Sequence, residues 1–193
     1  MAVTERLSPK ELKNAFLKVL ELPPPPPGPS QPLPPVITLP LFVMGLRNLA
    51  QGIVTRGAKQ SGWQFLTVGP GDRVISGDVP NWDPGTQPPA ASRSLGPALE
   101  KAFAAWESLK NLDQVQKADI DYEPVALRIP GLHIEALWLR KRPFSEELDQ
   151  DIVVPFQSFN KQLAARPFFS MPAFLRIVQP LADQQLRIDT PRD

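Results

Sequence analysis

The chain has 193 residues, of which 42% are hydrophobic and 21% charged, close to the average for a globular domain. It contains no cysteine and one histidine, His133. A thiol nucleophile and a zinc site of the usual nitrogen and sulfur ligands are therefore excluded within a single copy. Its 21 basic and 20 acidic residues leave a formal net charge of +1. Because nucleic-acid-binding proteins concentrate lysine and arginine, we expect no nucleic-acid partner.

The sequence also carries no signal for a membrane or for export. The longest apolar run, Val36 to Leu46, contains Pro40 and is shorter than the roughly 20 residues that a spanning helix needs. The first residues are mixed in charge and have no apolar core of the signal-peptide kind. Together with the absence of cysteine, these features predict a cytoplasmic protein without a membrane segment.

The N-terminal region divides into a helix and a proline-rich segment. Residues 1–22 contain a capping box that begins at Ser8, with Pro9 at the first helical position, followed by an apolar stripe at helical spacing. Residues 23–35 read PPPPPGPSQPLPP, which predicts polyproline II. This segment is interpreted as a spacer or a surface strap, with a ligand for an aromatic-lined groove as the alternative.

Residues 36–187 are predicted to form the main domain. Val36 to Val43 has strand character, but Pro40 restricts it to a sheet edge or a bulge. A short helix follows from Leu46 to Ile53. The stretches 63–68 and 73–76 flank a glycine-rich turn and predict a hairpin, after which residues 78–92 are expected to be a long loop.

The second half begins with a helix from Pro97, whose apolar stripe continues toward Leu112. Tyr122–Ile129 and Leu132–Leu139 alternate in strand fashion around Pro130-Gly131, which predicts a hairpin with a two-residue turn. In that register Ile129 lies opposite Leu132 and Arg128 lies opposite His133.

Asp151 to Phe156 is predicted as a further strand of the same sheet. Beyond it, Pro167, Pro172 and Pro180 are expected to divide the apolar chain into short pieces. The sequence leaves open whether residues 172–179 are helix or strand. Residues 188–193 are expected to fray. The order of elements predicts an α+β domain with a largely antiparallel sheet packed against two main helices.

One cluster of side chains could carry chemistry. In the predicted hairpin Arg128, His133 and Glu135 share one face, so they could bind an anion, transfer a proton or contact a partner. They could also be the solvated face of an ordinary antiparallel sheet. No metal site and no cofactor is expected, because the residues show no ligand spacing for either.

These features favour a non-enzymatic protein that binds another protein, in a pathway and an oligomeric state that the sequence does not specify. Exposed aromatic side chains are enriched where protein interfaces derive their binding energy. Five aromatic residues are the candidates for such contacts: Trp63, Trp82, Trp138, Phe168 and Phe169. The alternative is a small enzyme or an anion-binding protein that uses the face of Arg128, His133 and Glu135.

Overall fold

The structure, a computed structural model, contains one mixed sheet of eight strands. It describes residues 36–68, 74–81, 92–95, 100–101, 104 and 120–189. The strands are β1 Val36–Met44, β2 Ala58–Val68, β3 Val74–Pro80, β4 Ser92–Leu95, β5 Asp121–Ile129, β6 Ile134–Arg142, β7 Ile152–Gln157 and β8 Phe169–Ser170. Their order across the sheet is β4-β3-β2-β1-β5-β6-β7-β8.

The sheet consists of two antiparallel meanders placed side by side. Strands β1 to β4 pair antiparallel in sequence order, and so do strands β5 to β8. The two meanders meet where β1 and β5 run parallel. This arrangement confirms a mixed fold of helices and strands with a largely antiparallel sheet, although the sheet is larger than the sequence analysis anticipated.

The central seam, where Leu41–Val43 pairs with Ala126–Arg128, is only three residue pairs long. Strand β1 is therefore central, not an edge strand as one reading of Pro40 predicted. A register shift does occur beside Pro40, between Leu41 and Phe42, but its extra residue, Ser61, lies in β2 and not in the strand of Pro40. Pro40 and Pro124 lie just before the paired residues and have no N–H to donate. The parallel ladder cannot continue toward the start of either strand at those positions.

Three α-helices and one 3₁₀ turn are described: α1 Leu46–Ala50, α2 Lys161–Ala164, α3 Met171–Asp189 and the turn Pro130–Leu132. Helix α3 packs against α1, α2 and the 3₁₀ turn, so these elements meet at one end of the sheet. The short helix predicted after Val43 is confirmed. It ends before Gly52, whose φ of +71° belongs to the left-handed region that glycine adopts readily.

Helix α3 corrects the expectation that prolines divide the C-terminal chain. Pro172 lies in the first turn, where backbone N–H groups have no partner within the helix. Pro180 lies inside the helix but is exposed, so water can bind the carbonyl that loses its donor. The buried residues Phe174, Val178 and Ala182 then hold one continuous face of α3 on the sheet.

The two faces of the sheet contribute to two apolar clusters. One combines strand residues such as Leu127, Ile134 and Trp138 with the buried face of α3. The other is drawn from strands alone among the described residues, and it includes Leu39 and Leu137. Buried apolar residues therefore lie on both sides of β5 and β6, which explains why these strands are almost continuously hydrophobic.

The remaining predictions were borne out unevenly. The first hairpin is confirmed as β2 and β3, but Asp78 to Pro80 belong to β3 and Ser92 begins β4, so the long loop predicted for residues 78–92 is wrong at both ends. The strand predicted from Asp151 is confirmed as β7. Four predicted segments lie wholly or mostly outside the described residues: residues 1–22, the proline-rich residues 23–35, the helix predicted from Pro97 and residues 190–193. No helix in the described part of the chain is long and apolar enough to cross a membrane.

Candidate functional site

The hairpin that carries the predicted site has a different register from the expected one. Ile129 pairs with Ile134 and Arg128 pairs with Glu135, so the connection runs from Pro130 to His133. The expected pairing of Arg128 with His133 is therefore wrong by two positions. A shift of two residues leaves the same side chains on each face of the strand. Val125, Leu127, Ile134 and Ala136 accordingly share one face, as predicted.

Arg128 forms two ion pairs. Its Nη1 lies 2.8 Å from Asp78 Oδ2, and its Nε lies 2.8 Å from Glu135 Oε1. Burial acts to lower the pKa of Arg128, but the two carboxylates outweigh burial and raise the pKa above its usual value. Two strands, β1 and β2, separate Arg128 from Asp78. That separation is about 14 Å in a flat sheet, so the ion pair indicates that the sheet curls toward this face.

The Arg128 cluster, defined as Gln64, Asp78, Arg128 and Glu135, has two carboxylates for one guanidinium. Gln64 is 2% exposed and donates through Nε2 to Asp78 Oδ1 at 3.4 Å. Its Oε1 accepts no hydrogen bond from any described residue. The guanidinium is already held by two carboxylates, and the charges of the cluster sum to about −1. Binding of an anion to the cluster is therefore electrostatically unfavourable. The sequence analysis missed Asp78 because it placed that residue in a loop.

His133 lies outside the Arg128 cluster. It follows the 3₁₀ turn in the left-handed conformation, with φ 51° and ψ 42°, and its side chain is exposed. Its ring meets the ring of Phe159 edge to face, with centroids 5.9 Å apart. Phe159 is 82% exposed, the largest exposure among the large hydrophobic side chains of the described residues.

Phe159 lies in a short, well-capped link between β7 and α2. The Ser158 hydroxyl accepts from the N–H of Asn160 at 3.0 Å, and Asn160 Oδ1 accepts from the N–H of Gln162 at 2.8 Å. Asn160 is thus the N-cap of α2. The aromatic ring is therefore presented to solvent from a backbone that two side-chain hydrogen bonds fix on its C-terminal side.

Phe159 meets the 3₁₀ turn through His133, and that turn lies against α1. Gly131, in the turn before His133, lies so close to α1 that a Cβ atom there would stand 2.7 Å from the side chain of Leu46. Arg47, next to Leu46, and Lys161, the first residue of α2, are both exposed. We name the Phe159 surface by these members: Arg47, Gly131, His133, Phe159 and Lys161.

The predicted interface aromatics are mostly internal. Trp63, Trp138 and Phe169 are buried, with exposures of 7%, 1% and 5%, and Phe168 is half-buried. Trp82 lies outside the described residues. Sequence reasoning missed Phe159 and Phe144, which are exposed. Both stand among polar, charged or proline neighbours, and that context was the available signal.

Trp138 belongs instead to a buried polar and aromatic assembly. Its indole N–H donates to Asp151 Oδ2 at 2.7 Å, and the N–H of Lys141 donates to Asp151 Oδ1 at 2.9 Å. The guanidinium of Arg140 lies over the rings of Trp138 and Phe144, at 4.8 and 4.2 Å from their centroids. Burial raises the pKa of Asp151 above its usual value, although the two N–H donors and the nearby cations oppose that shift.

Within the described residues, no group of three or more histidine, cysteine, aspartate or glutamate side chains is arranged to hold a metal ion. Comparisons with protein-family models, curated proteins and solved structures returned no match to this chain.

Proposed function

We propose that this protein acts by binding another protein, and that the Phe159 surface is the contact site. The observation that carries the proposal is the 82% exposure of Phe159 on a capped, ordered link. Exposing a whole aromatic ring forgoes the free energy that its burial would supply, about 1.5–3 kcal/mol. A partner that covers the ring recovers this free energy on binding.

The geometry suits a protruding anchor residue. A few aromatic side chains at the centre of an interface contribute most of the binding free energy, and they are most effective when they need no ordering on binding. Phe159 contacts His133 on one side and is followed by the N-cap of α2. We therefore expect the partner to present an apolar pocket that receives this ring.

The alternative function, an enzyme or an anion-binding protein that uses Arg128, His133 and Glu135, has less support. Arg128 is paired with two carboxylates, which leaves its guanidinium little capacity for an anionic substrate. His133 contacts Phe159, and no hydrogen bond or ion pair between described residues joins it to Arg128 or Glu135.

A cytoplasmic location remains part of the proposal and rests on the sequence alone.

The experiment compares complexes that tagged full-length variants recover from the native host. Phe159→Ser should lose a partner that the wild type retains, because the substitution removes the proposed anchor. Ile188→Ser, at 66% exposure near the end of α3, is the matched control and should retain that partner. Both variants should unfold at the wild-type urea midpoint, because neither side chain is buried. Recovery of the same proteins by both variants would contradict the proposal.

A further inference from the structure

We infer that the partner segment received by the Phe159 surface is acidic, with an apolar residue flanked by aspartate or glutamate. This inference rests on the proposed function and adds the chemistry of the partner. Its basis is the charge distribution around Phe159, which differs from that of the chain as a whole.

On the helices around Phe159, acidic residues occur only late in α3, at Asp183 and Asp189. Residues 36–68 and 152–182 contain no aspartate or glutamate, although the whole chain has 20 acidic residues against 21 basic ones. Four exposed basic side chains lie on α1, on α2, in the loop that follows α2 and on α3: Arg47, Lys161, Arg166 and Arg176. No ion pair is formed by any of the four within the described residues, whereas Arg56 is paired with Glu146.

Arg47 and Lys161, on α1 and α2, follow strands β1 and β7 at the same end of the sheet. Helices α1 and α2 and the 3₁₀ turn all contact α3. Leu46, next to Arg47 on α1, lies close to Gly131 in the 3₁₀ turn. The turn ends at His133, whose ring contacts Phe159. Lys161 therefore lies two residues from Phe159, the aromatic anchor, and Arg47 lies on α1 beside the turn that holds His133.

The acidic residue nearest to His133 in the sequence is already paired. Glu135 lies two residues from His133, but it is paired with Arg128 and is only 21% exposed. The charged members of the Phe159 surface among the described residues are therefore positive, and they attract a negatively charged segment at long range. Burial of the ring then holds the segment in place.

An acidic protein segment fits these observations better than a nucleic acid. Nucleic-acid binding depends on many phosphate contacts, and this chain has a net charge of only +1. Single-strand binders stack successive bases on several aromatic side chains. Among the described residues the exposed phenylalanine rings are Phe159 and Phe144, and the Phe144 ring already lies against the guanidinium groups of Arg140 and Arg142. A single apolar anchor with flanking cations matches a short peptide.

The test is a selection of random peptides, each about 12 residues long, displayed against the purified full-length protein. We expect the selected peptides to carry an apolar residue flanked by aspartate or glutamate. Affinity of the best peptide, measured by fluorescence anisotropy, should fall about tenfold or more for Phe159→Ser and for the double variant Arg47→Glu with Lys161→Glu. It should also weaken as salt is raised.

The matched control is Arg187→Glu, because Arg187 is exposed on the last turn of α3 and the substitution changes the charge by the same amount per site. This variant should keep the wild-type affinity. Selection of peptides without acidic residues, no selection above background, or tighter binding of an oligothymidylate or of anionic vesicles would each overturn the inference. If the native partner is still lost with Phe159→Ser in any of those cases, the proposed function stands and only the acidic character fails.

Discussion

At the scale of single residues, His133 is the most unusual position in the described chain. It is the one non-glycine residue there with a positive φ, at 51°. The left-handed conformation costs an ordinary residue roughly 1–2 kcal/mol, and glycine or asparagine would suit the turn better. Strained residues recur at functional sites. The imidazole beside Phe159 is thus consistent with a binding role for this turn.

This conformation gives a prediction at His133. His133→Val should lower the free energy of unfolding by about 1–2 kcal/mol, because a β-branched side chain is poorly tolerated at positive φ. His133→Gly should keep or raise the stability. Urea denaturation of the two variants checks this, and equal losses for valine and glycine would show that the conformation is not the cause.

Asp151 is a buried acid that joins β6 to the start of α3. It is 5% exposed and accepts hydrogen bonds from Trp138 and from the N–H of Lys141. Its own carbonyl accepts from the N–H of Met171, at the start of α3. Removing the carboxylate leaves two N–H donors without their acceptor in a buried place, which is costly in free energy.

The raised pKa of Asp151 predicts a pH dependence of stability. The folded state binds the proton more tightly than the unfolded state, so this group favours folding most at a pH below its ordinary value of 3.8. That contribution declines as pH rises from 3.8 through the raised folded pKa. Asp151→Asn removes the titration. The stability of the wild type relative to this variant should therefore decrease as the pH of urea denaturation increases, and an increase would contradict the assignment.

At the scale of elements, α3 shows how packing overrides a local signal. Its interior Pro180 removes one helical hydrogen bond, and the helix continues because Phe174, Val178 and Ala182 are buried on the sheet. Pro180→Ala should raise the free energy of unfolding by about 1–3 kcal/mol. Pro172→Ala is the control, since the first turn tolerates proline, and it should change stability little. Differential scanning calorimetry distinguishes the two, and equal effects would contradict this reading.

The central seam is the second element whose limits are set by proline. Pro40 and Pro124 stop the parallel ladder on one side, so three residue pairs carry the junction between the meanders. The antiparallel pairings on either side are longer, with nine positions between β5 and β6. The three-pair ladder is the one strand pairing that joins the two meanders, so side-chain contacts across the seam carry more of the connection.

At the scale of the whole molecule, the Arg128 cluster is one such connection, because Asp78 belongs to the first meander and Arg128 and Glu135 to the second. Arg128→Met should lower the free energy of unfolding by about 1–3 kcal/mol, since it leaves two carboxylates without their cation. Adding Asp78→Asn and Glu135→Gln to the same chain should restore part of the loss. Urea denaturation tests this, and an additive loss in the triple variant would exclude an electrostatic cause.

The elements with strong local patterns were predicted well from the sequence. The period-two alternation predicted β5 and β6, and the glycine-rich turn predicted the pairing of β2 with β3. The face shared by Val125, Leu127, Ile134 and Ala136 was also foreseen, because a register error of two residues preserves the alternation. The turn that sets the register was misassigned, because Pro130-Gly131 extends to a 3₁₀ turn closed by His133 in the left-handed conformation.

By itself, the sequence determined the class of fold, the absence of cysteine chemistry and the strands whose apolar residues alternate, because composition and periodicity are local properties. Tertiary structure decided which side chains meet. Asp78 reaches Arg128 across two strands, and His133 meets Phe159 instead of Arg128. Both contacts join residues distant along the chain, and they depend on sheet order, curvature and register, which no local pattern encodes.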